Sequence, residues 1–373
     1  MSVVRRRRRR GVARSLALAA FLAAGSAVAR AQEVPPPAEK KGSTVVLPLV
    51  FYSPETRWGG GLGGIVTFWP DRSGPGRRPS SVAFIGTVTQ NKQSELSAKP
   101  ELYFASDAVI VTGNVSWKKY PSKFFGVGND APAAGEEDFT PRLLSFEIAA
   151  ARRIWKDRNV FAGLTFLYDS YAFLKLDPAG RLAEGRIPGS GGGVTSGAGA
   201  VLKWDSRDNT FVPRAGSFFQ LSAVAYGRIF GSDFGYTKMK ADLRTYVPVG
   251  ASHTLALQAY FLSAFGTTPF MSLPMFGADN TMRGYYAGRF RDNHMAALHA
   301  EYRLPLFWKV GLVGFAGVGR VAGRLGDLGL SGFKAIAGWG LRFKVTPEGA
   351  NIRLDFGYGK GTSGMYLTAG EAF

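Results

Sequence analysis

The sequence predicts an all-β fold: a transmembrane antiparallel β-barrel of about 16 strands with a long loop folded into the lumen. Three observations carry this. From Thr44 to the end, strand-length segments alternate apolar and charged residues, and no helical period interrupts them. No helix is therefore available to cover an apolar sheet face, so a single sheet of this size must close on itself. The first residues read as an export signal. Closure with charges outward would give a soluble barrel too wide for side chains to fill. Closure with charges inward gives a membrane barrel with a polar lumen, and export favours it.

Taken in order, the chain opens on six consecutive arginines, Arg5 to Arg10, then Arg14 and an apolar run from Leu16 to Val28. Ala27-Val28-Ala29 and Ala29-Arg30-Ala31 offer small-residue cleavage sites. Residues 1–31 thus read as a secretory signal peptide, since the apolar run is shorter than the ~20 residues of a spanning helix. Its removal takes away eight arginines and lowers the formal charge from +19 to +11, 38 basic against 27 acidic residues. That excess suits outer-membrane lipid or lipopolysaccharide. Nucleic acid is not expected, because the basic residues are spread along strands and form no single patch. Residues 32–43 read as a short Pro-rich periplasmic leader, and residues 44–373 as the barrel.

Residues 44–53 and 58–69 form the first predicted pair, with a turn from Asp71 to Pro79. Residues 81–90 and 94–105 form the next hairpin, and 108–119 precede a loop from Tyr120 to about Thr140. Residues 142–154 and 159–174 pair again, and Gly189 to Gly193 sit in a second long loop. Further on, Lys238, Lys240, Asp242 and Arg244 share one face, as do His299, Glu301 and Arg303, and Asn351, Arg353 and Asp355. The stretch Gly357 to Ser363 reads as a turn, and Met365 to Phe373 as the last strand.

Between two clear strand patterns lies Thr267 to Asn293, which carries Phe270, Met271, Leu273, Met275, Phe276, Tyr285 and Tyr286. A solvated loop needs no such apolar load, so this one is expected to dock inside the barrel. Met282-Arg283-Gly284-Tyr285 is its expected tip: a guanidinium fork that requires an acceptor, beside a glycine free to turn.

Chemistry-bearing motifs are sparse. Zero cysteines exclude thiol catalysis and thiolate metal sites. The glycine clusters Gly59 to Gly64 and Gly189 to Gly193 lack the Lys-Ser/Thr of a phosphate loop. No nucleophile elbow is present, and His253, His294 and His299 are poorly spaced for a metal. Asp205, Arg207 and Asp208 do not match a calcium loop and read as a salt-bridged strand end. No enzyme activity, cofactor or metal is expected.

Four segments resemble the bacterial surface antigen superfamily, the outer-membrane barrels of the BamA and TamA type. Phe276 to Tyr285 resembles the family's lumen-plugging loop with its V-R-G-[FY] tip. Ala300-Glu301-Tyr302-Arg303-Leu304-Pro305 is similar to its E-[YF]-R-x-P strand. Asp205-Ser206-Arg207-Asp208-Asn209 with Pro213 to Gly216 resembles its D-x-R-D-N…P-x-x-G hairpin. Tyr120 to Asn129 resembles a segment of short members. The resemblance covers residues 44–373. It implies that Arg283, flanked by Gly284 and Tyr285, locks the loop onto inner-wall acids, Glu301 first. The family's second acid, in F-x-D-x-G, is replaced here by Gly317, with Asp279 or Asp355 as substitutes. The terminal Phe373 resembles the signal by which outer-membrane barrels are assembled, although Glu371 interrupts its face.

The resemblance further implies the outer membrane of a Gram-negative bacterium and a role in outer-membrane protein insertion, assembly or translocation. It implies unfolded barrel proteins or periplasmic accessory proteins as partners. The sequence shows only a short leader where such proteins carry periplasmic POTRA domains, so a barrel-only member is expected. The alternative is a porin-like channel, or a surface barrel without insertase activity.

Overall fold

The computed structural model describes residues 42–69, 79–155, 158–329, 331–345 and 351–373. The signal-peptide reading, nearly all of the leader, and the turn Asp71 to Arg78 lie outside the described residues. Sixteen strands form the wall. They are β1 (Ser43–Ser53), β2 (Arg57–Phe68), β3 (Ser80–Thr89), β4 (Ser94–Phe104), β5 (Val109–Lys119), β6 (Glu137–Trp155), β7 (Val160–Leu176) and β8 (Gly193–Asp205). Then come β9 (Gly216–Tyr226), β10 (Tyr236–Val249), β11 (His253–Gly266), β12 (His294–Phe307), β13 (Val310–Ala322), β14 (Lys334–Lys344), β15 (Asn351–Gly359) and β16 (Thr362–Ala369).

Each strand pairs antiparallel with its sequence neighbours, and β1 meets β16 to close the ring. Because up and down strands alternate, both described chain ends lie at one rim, the terminal rim. The opposite loop rim carries the connections 120–136, 177–192, 227–235, 267–293 and 323–333.

The outer face is a lipid-type surface, with Leu164 73% exposed, Val88 63%, Leu62 57% and Leu298 53%. The inner face carries the charges. On β12, Glu301 and Arg303 are buried while Leu298 and Tyr302 face out, as the alternation requires.

β1 departs from this rule. Val46, Val50 and Tyr52 share the outer face with Trp58, but Val45, Leu47 and Phe51 point the other way and are also apolar. Opposite them β2 presents Gly59, Gly61 and Gly63, and a Cβ on Gly59 would fall 2.3 Å from the Phe51 ring. The glycines of this segment are there because large inward side chains of β1 lie across them.

The loop rim is roofed. Phe124, Phe139, Leu182, Phe270 and Leu273 form one buried cluster, drawn from three loops and β6. Loop 120–136 crosses to the far wall, where Asn129 Nδ2 donates to Gly332 O at 2.9 Å and Val321 N donates to Asn129 Oδ1 at 3.3 Å. It also binds the lumen loop, through Gly128 N to Arg291 O at 2.8 Å and Arg289 Nη2 to Ala131 O at 2.8 Å.

Two boundaries differ from the sequence expectation. The last turn is only Lys360-Gly361, since Gly357 to Gly359 remain in β15 and β16 starts at Thr362. The last strand ends at Ala369, where Gly370 takes φ +82° and turns the chain inward. Phe373 is therefore not on the outer face. It is buried with Tyr246 and Ala256, and its carbonyl accepts from Arg303 Nη2 at 2.9 Å.

Candidate functional site: an arginine-tipped loop in the lumen

Residues 267–293 leave β11 at the loop rim, descend into the barrel and return to β12. A short ladder, Met275↔Arg291 and Phe276↔Phe290, pins the two legs together. Below it Phe276, Met282, Tyr285 and Phe290 pack with Met295, Ala297, Val313, Phe315, Val321 and Ile336 of the wall. This apolar contact anchors the loop, which explains its composition.

At the tip, Arg283 is buried between two acids. Its Nη2 donates to Glu301 Oε1 at 2.7 Å and its Nη1 to Asp355 Oδ2 at 2.5 Å. The guanidinium lies over the Phe315 ring, 3.6 Å from its centroid. Asp355 takes the place of the second acid that Gly317 lacks. An acid at 317 would not fit, because a Cβ there would lie 2.6 Å from His299 Cδ2. His299 itself accepts the backbone N–H of Met282 at 3.1 Å.

The wall supplies further charges. Arg342 reaches Asp355 at 2.5 Å and Glu371 at 2.8 Å, and Arg353 reaches Asp355 at 3.1 Å. Asp279 of the loop binds Arg353 at 2.7 Å. Arg303 lies 3.6 Å from Glu301. The cluster thus sets Arg283, Arg303, Arg342 and Arg353 against Asp279, Glu301, Asp355 and Glu371, four charges of each sign. Buried charges are tolerable only when paired in this way.

Gly284 has φ +110°, and a Cβ on it would lie 2.9 Å from the Gly357 carbonyl carbon. Only glycine permits this close approach of loop backbone to β15. Tyr285 packs in the apolar anchor, and its hydroxyl accepts Lys360 N–H at 3.2 Å.

The D-x-R-D-N segment lies elsewhere, at the terminal rim. Arg207 makes a bidentate pair with Asp205, both bonds 2.8 Å. Asp208 Oδ1 accepts the N–H groups of Arg214 and Ala215, and Asn209 Oδ1 those of Phe211 and Val212. These residues hold the β8–β9 connection in shape beside a cavity of about 700 Å³. They do not touch the loop tip. His299, Phe315, Arg353, Tyr366 and Glu55 all contact the loop, yet none is marked as a loop contact by sequence, because barrel closure and not sequence spacing brings each to it. Among the described residues no cluster of three or more His, Cys, Asp or Glu could hold a metal ion.

These features define a transmembrane β-barrel whose lumen is occupied by its own arginine-tipped loop. The chain belongs to the Omp85 superfamily, whose domain matches residues 78–373. Its fold is similar to that of BamA from Haemophilus ducreyi lacking POTRA domains 1–3, at 14% identity and a TM-score of 0.60, over 89% of this chain and 70% of that one. It is also similar to CdiB from Acinetobacter baumannii, at 12% identity and a TM-score of 0.56, over 89% of this chain and 60% of that one. CdiB from Escherichia coli gives 11% identity and a TM-score of 0.56, over 87% and 62%. The chain thus spans about 60% of the CdiB chains it matches. No curated protein matches the sequence. The described residues form the barrel and its loops, with no POTRA-like domain among them.

Proposed function

We propose that this protein sits in the outer membrane of a Gram-negative bacterium and helps other polypeptides insert into or cross that membrane, using the β1–β16 seam. One observation carries the reading. β1 and β16 share a single ladder pair, Tyr52↔Leu367, whereas β1 and β2 share eleven. Ser43 to Phe51 therefore have no ladder partner on the seam side among the described residues. An open edge of backbone donors and acceptors is a template for an added strand. This edge is apolar on both faces, which suits a strand with one side toward lipid and one toward the apolar inner strip of β1. A partially folded outer-membrane barrel presents such a strand, so client barrels are the partners this reading assigns.

The roofed loop rim argues against a porin-like role, since three packed loops cover the mouth a solute would use. The exposed apolar belt supports a lipid surrounding, as this reading requires. The test adds a urea-unfolded client barrel to vesicles holding this protein, vesicles holding an unrelated porin, and empty vesicles. The reading expects faster client folding only in the first. Equal rates in all three would refute it for the isolated barrel.

A further inference from the structure

If one ladder pair is all the direct strand contact at the seam, something else must hold β1 near β16. The lumen loop touches both sides. Toward the last strands, Gly284 N donates to Tyr366 Oη at 3.0 Å, and Thr362 Oγ1 donates to Gly284 O at 2.9 Å. Tyr366 lies on β16, is fully buried, and faces the lumen. Toward the first strands, Ala287 N donates to Glu55 Oε1 at 2.8 Å.

Glu55 sits in the β1–β2 turn and is 4% exposed. Its turn is braced from behind. Asn91 Nδ2 and Gln93 Nε2 both donate to Glu55 O, at 2.6 and 3.1 Å, and Gln93 Nε2 lies 3.0 Å from Pro121 O as well. The β3–β4 turn and the start of loop 120–136 thus hold Glu55 against the loop. Four residues of loop backbone, Gly284 to Ala287, therefore span from the last strand to the first hairpin.

We infer that the loop is a latch across the seam, with Glu55 and Tyr366 as positioning residues that tie its two ends to β1–β2 and β16. The wall acids fix Arg283 to β12 and β15, on one side of the seam only. Glu55 carries the hold to the first hairpin, on the other side. Loop withdrawal and seam widening are then one event. This holds whether or not the seam receives clients.

The chain has no cysteine, so spin labels can be placed cleanly. Leu62→Cys on β2 and Leu341→Cys on β14 are outward positions, 57% and 38% exposed, that bracket the seam. Four strand spacings separate them, about 19 Å across the strands, and Leu62 lies four residues along β2 from the row of Leu341. Val115→Cys on β5 and Leu221→Cys on β9, both 46% exposed, are four spacings apart on the opposite wall and serve as control. In detergent or nanodiscs the unaltered latch should give one narrow distance distribution at each pair.

Glu55→Ala and Tyr366→Phe should each add a second population at the seam pair, longer by about one strand spacing, ~5 Å, with the control pair unchanged. Glu55→Gln keeps an oxygen acceptor for Ala287 N–H and should stay as narrow as the parent. An unchanged seam distribution in the Glu55→Ala/Tyr366→Phe double variant would overturn the latch. So would equal broadening at both label pairs, which would mean general loosening of the barrel.

Discussion

Replacing Arg283 by alanine removes the one cation that the loop tip inserts between Glu301 and Asp355. Two charge-assisted hydrogen bonds are lost, each worth about 1.5–3 kcal/mol. The contact with the Phe315 ring goes too. Breaking a buried ion pair typically costs about 3–5 kcal/mol, because an uncompensated charge is left behind. Here the remaining acids are not abandoned. Glu301 keeps Arg303 and Arg342 within 3.6 Å, and Asp355 keeps Arg342 and Arg353. The expected loss is therefore at the lower end, about 3 kcal/mol of loop-closing free energy. At about 1.4 kcal/mol per tenfold change, that is roughly a hundredfold. Amide hydrogen exchange reads it directly, because local opening exposes individual N–H groups. The amides of Gly284 and Ala287, bonded to Tyr366 and Glu55, should exchange roughly a hundredfold faster in Arg283→Ala. Arg283→Lys should recover only part of the loss, since an ammonium cannot reproduce the planar fork between two acids. Glu301→Gln should act through the same contact, giving a coupling of about 0.5–3 kcal/mol in a double-mutant cycle. Exchange within threefold of the parent, or strictly additive effects, would refute the lock.

Gly284→Ala should destabilise the docked loop by about 1–3 kcal/mol, because φ +110° and a 2.9 Å approach to Gly357 both penalise a Cβ; protease nicking of the loop reports it. A disulfide between Tyr52→Cys and Leu367→Cys, which face each other in the sole seam pair, should abolish client-folding acceleration until reduced; undiminished activity of the oxidised protein would count against the seam. Burial raises the Glu55 carboxyl above its ordinary value, with Asp279 adding to the rise and the N–H of Ala287 opposing it. A raised folded value means that the stability this group contributes is fully present below the ordinary glutamate value, near ~4.3, and is lost as pH rises through the folded one. The protection factor at Ala287, the exchange rate of an unstructured amide at the same pH divided by its own, should accordingly rise on acidification through that window, and Glu55→Gln should flatten that profile.

Alternation was enough to read the wall. The phases of β10, β12 and β15 alone put Lys238, Glu301 and Asp355 on the lumen side, because one face must meet lipid and the other water. The apolar load of 267–293 announced a docked loop for the same reason. The second acid was left open between Asp279 and Asp355, since a partner 72 residues away depends on barrel curvature and not on spacing. Asp355 is the one that meets Arg283, whereas Asp279 pairs with Arg353 instead. Phe373 was misplaced because Met365, Leu367 and Ala369 set a rhythm that it continues. Gly370 breaks the rhythm, and Arg342 with Asn351 draws Glu371 inward. The apolar inner strip of β1 was present in the sequence as VVLPLVFY, but a run without alternation does not say which side is wet.

The balance of charges in the lumen has an electrical consequence. The docked tip, residues 279–285, contributes one aspartate and one arginine, and the wall residues they leave behind are three arginines and three acids. The tip itself carries no net charge when it separates from the wall. Moving a unit charge through a membrane field is worth about 2.3 kcal/mol per 100 mV, but a neutral tip carries none of that work. Undocking of the tip should thus be indifferent to any potential across the membrane and governed by local contacts alone.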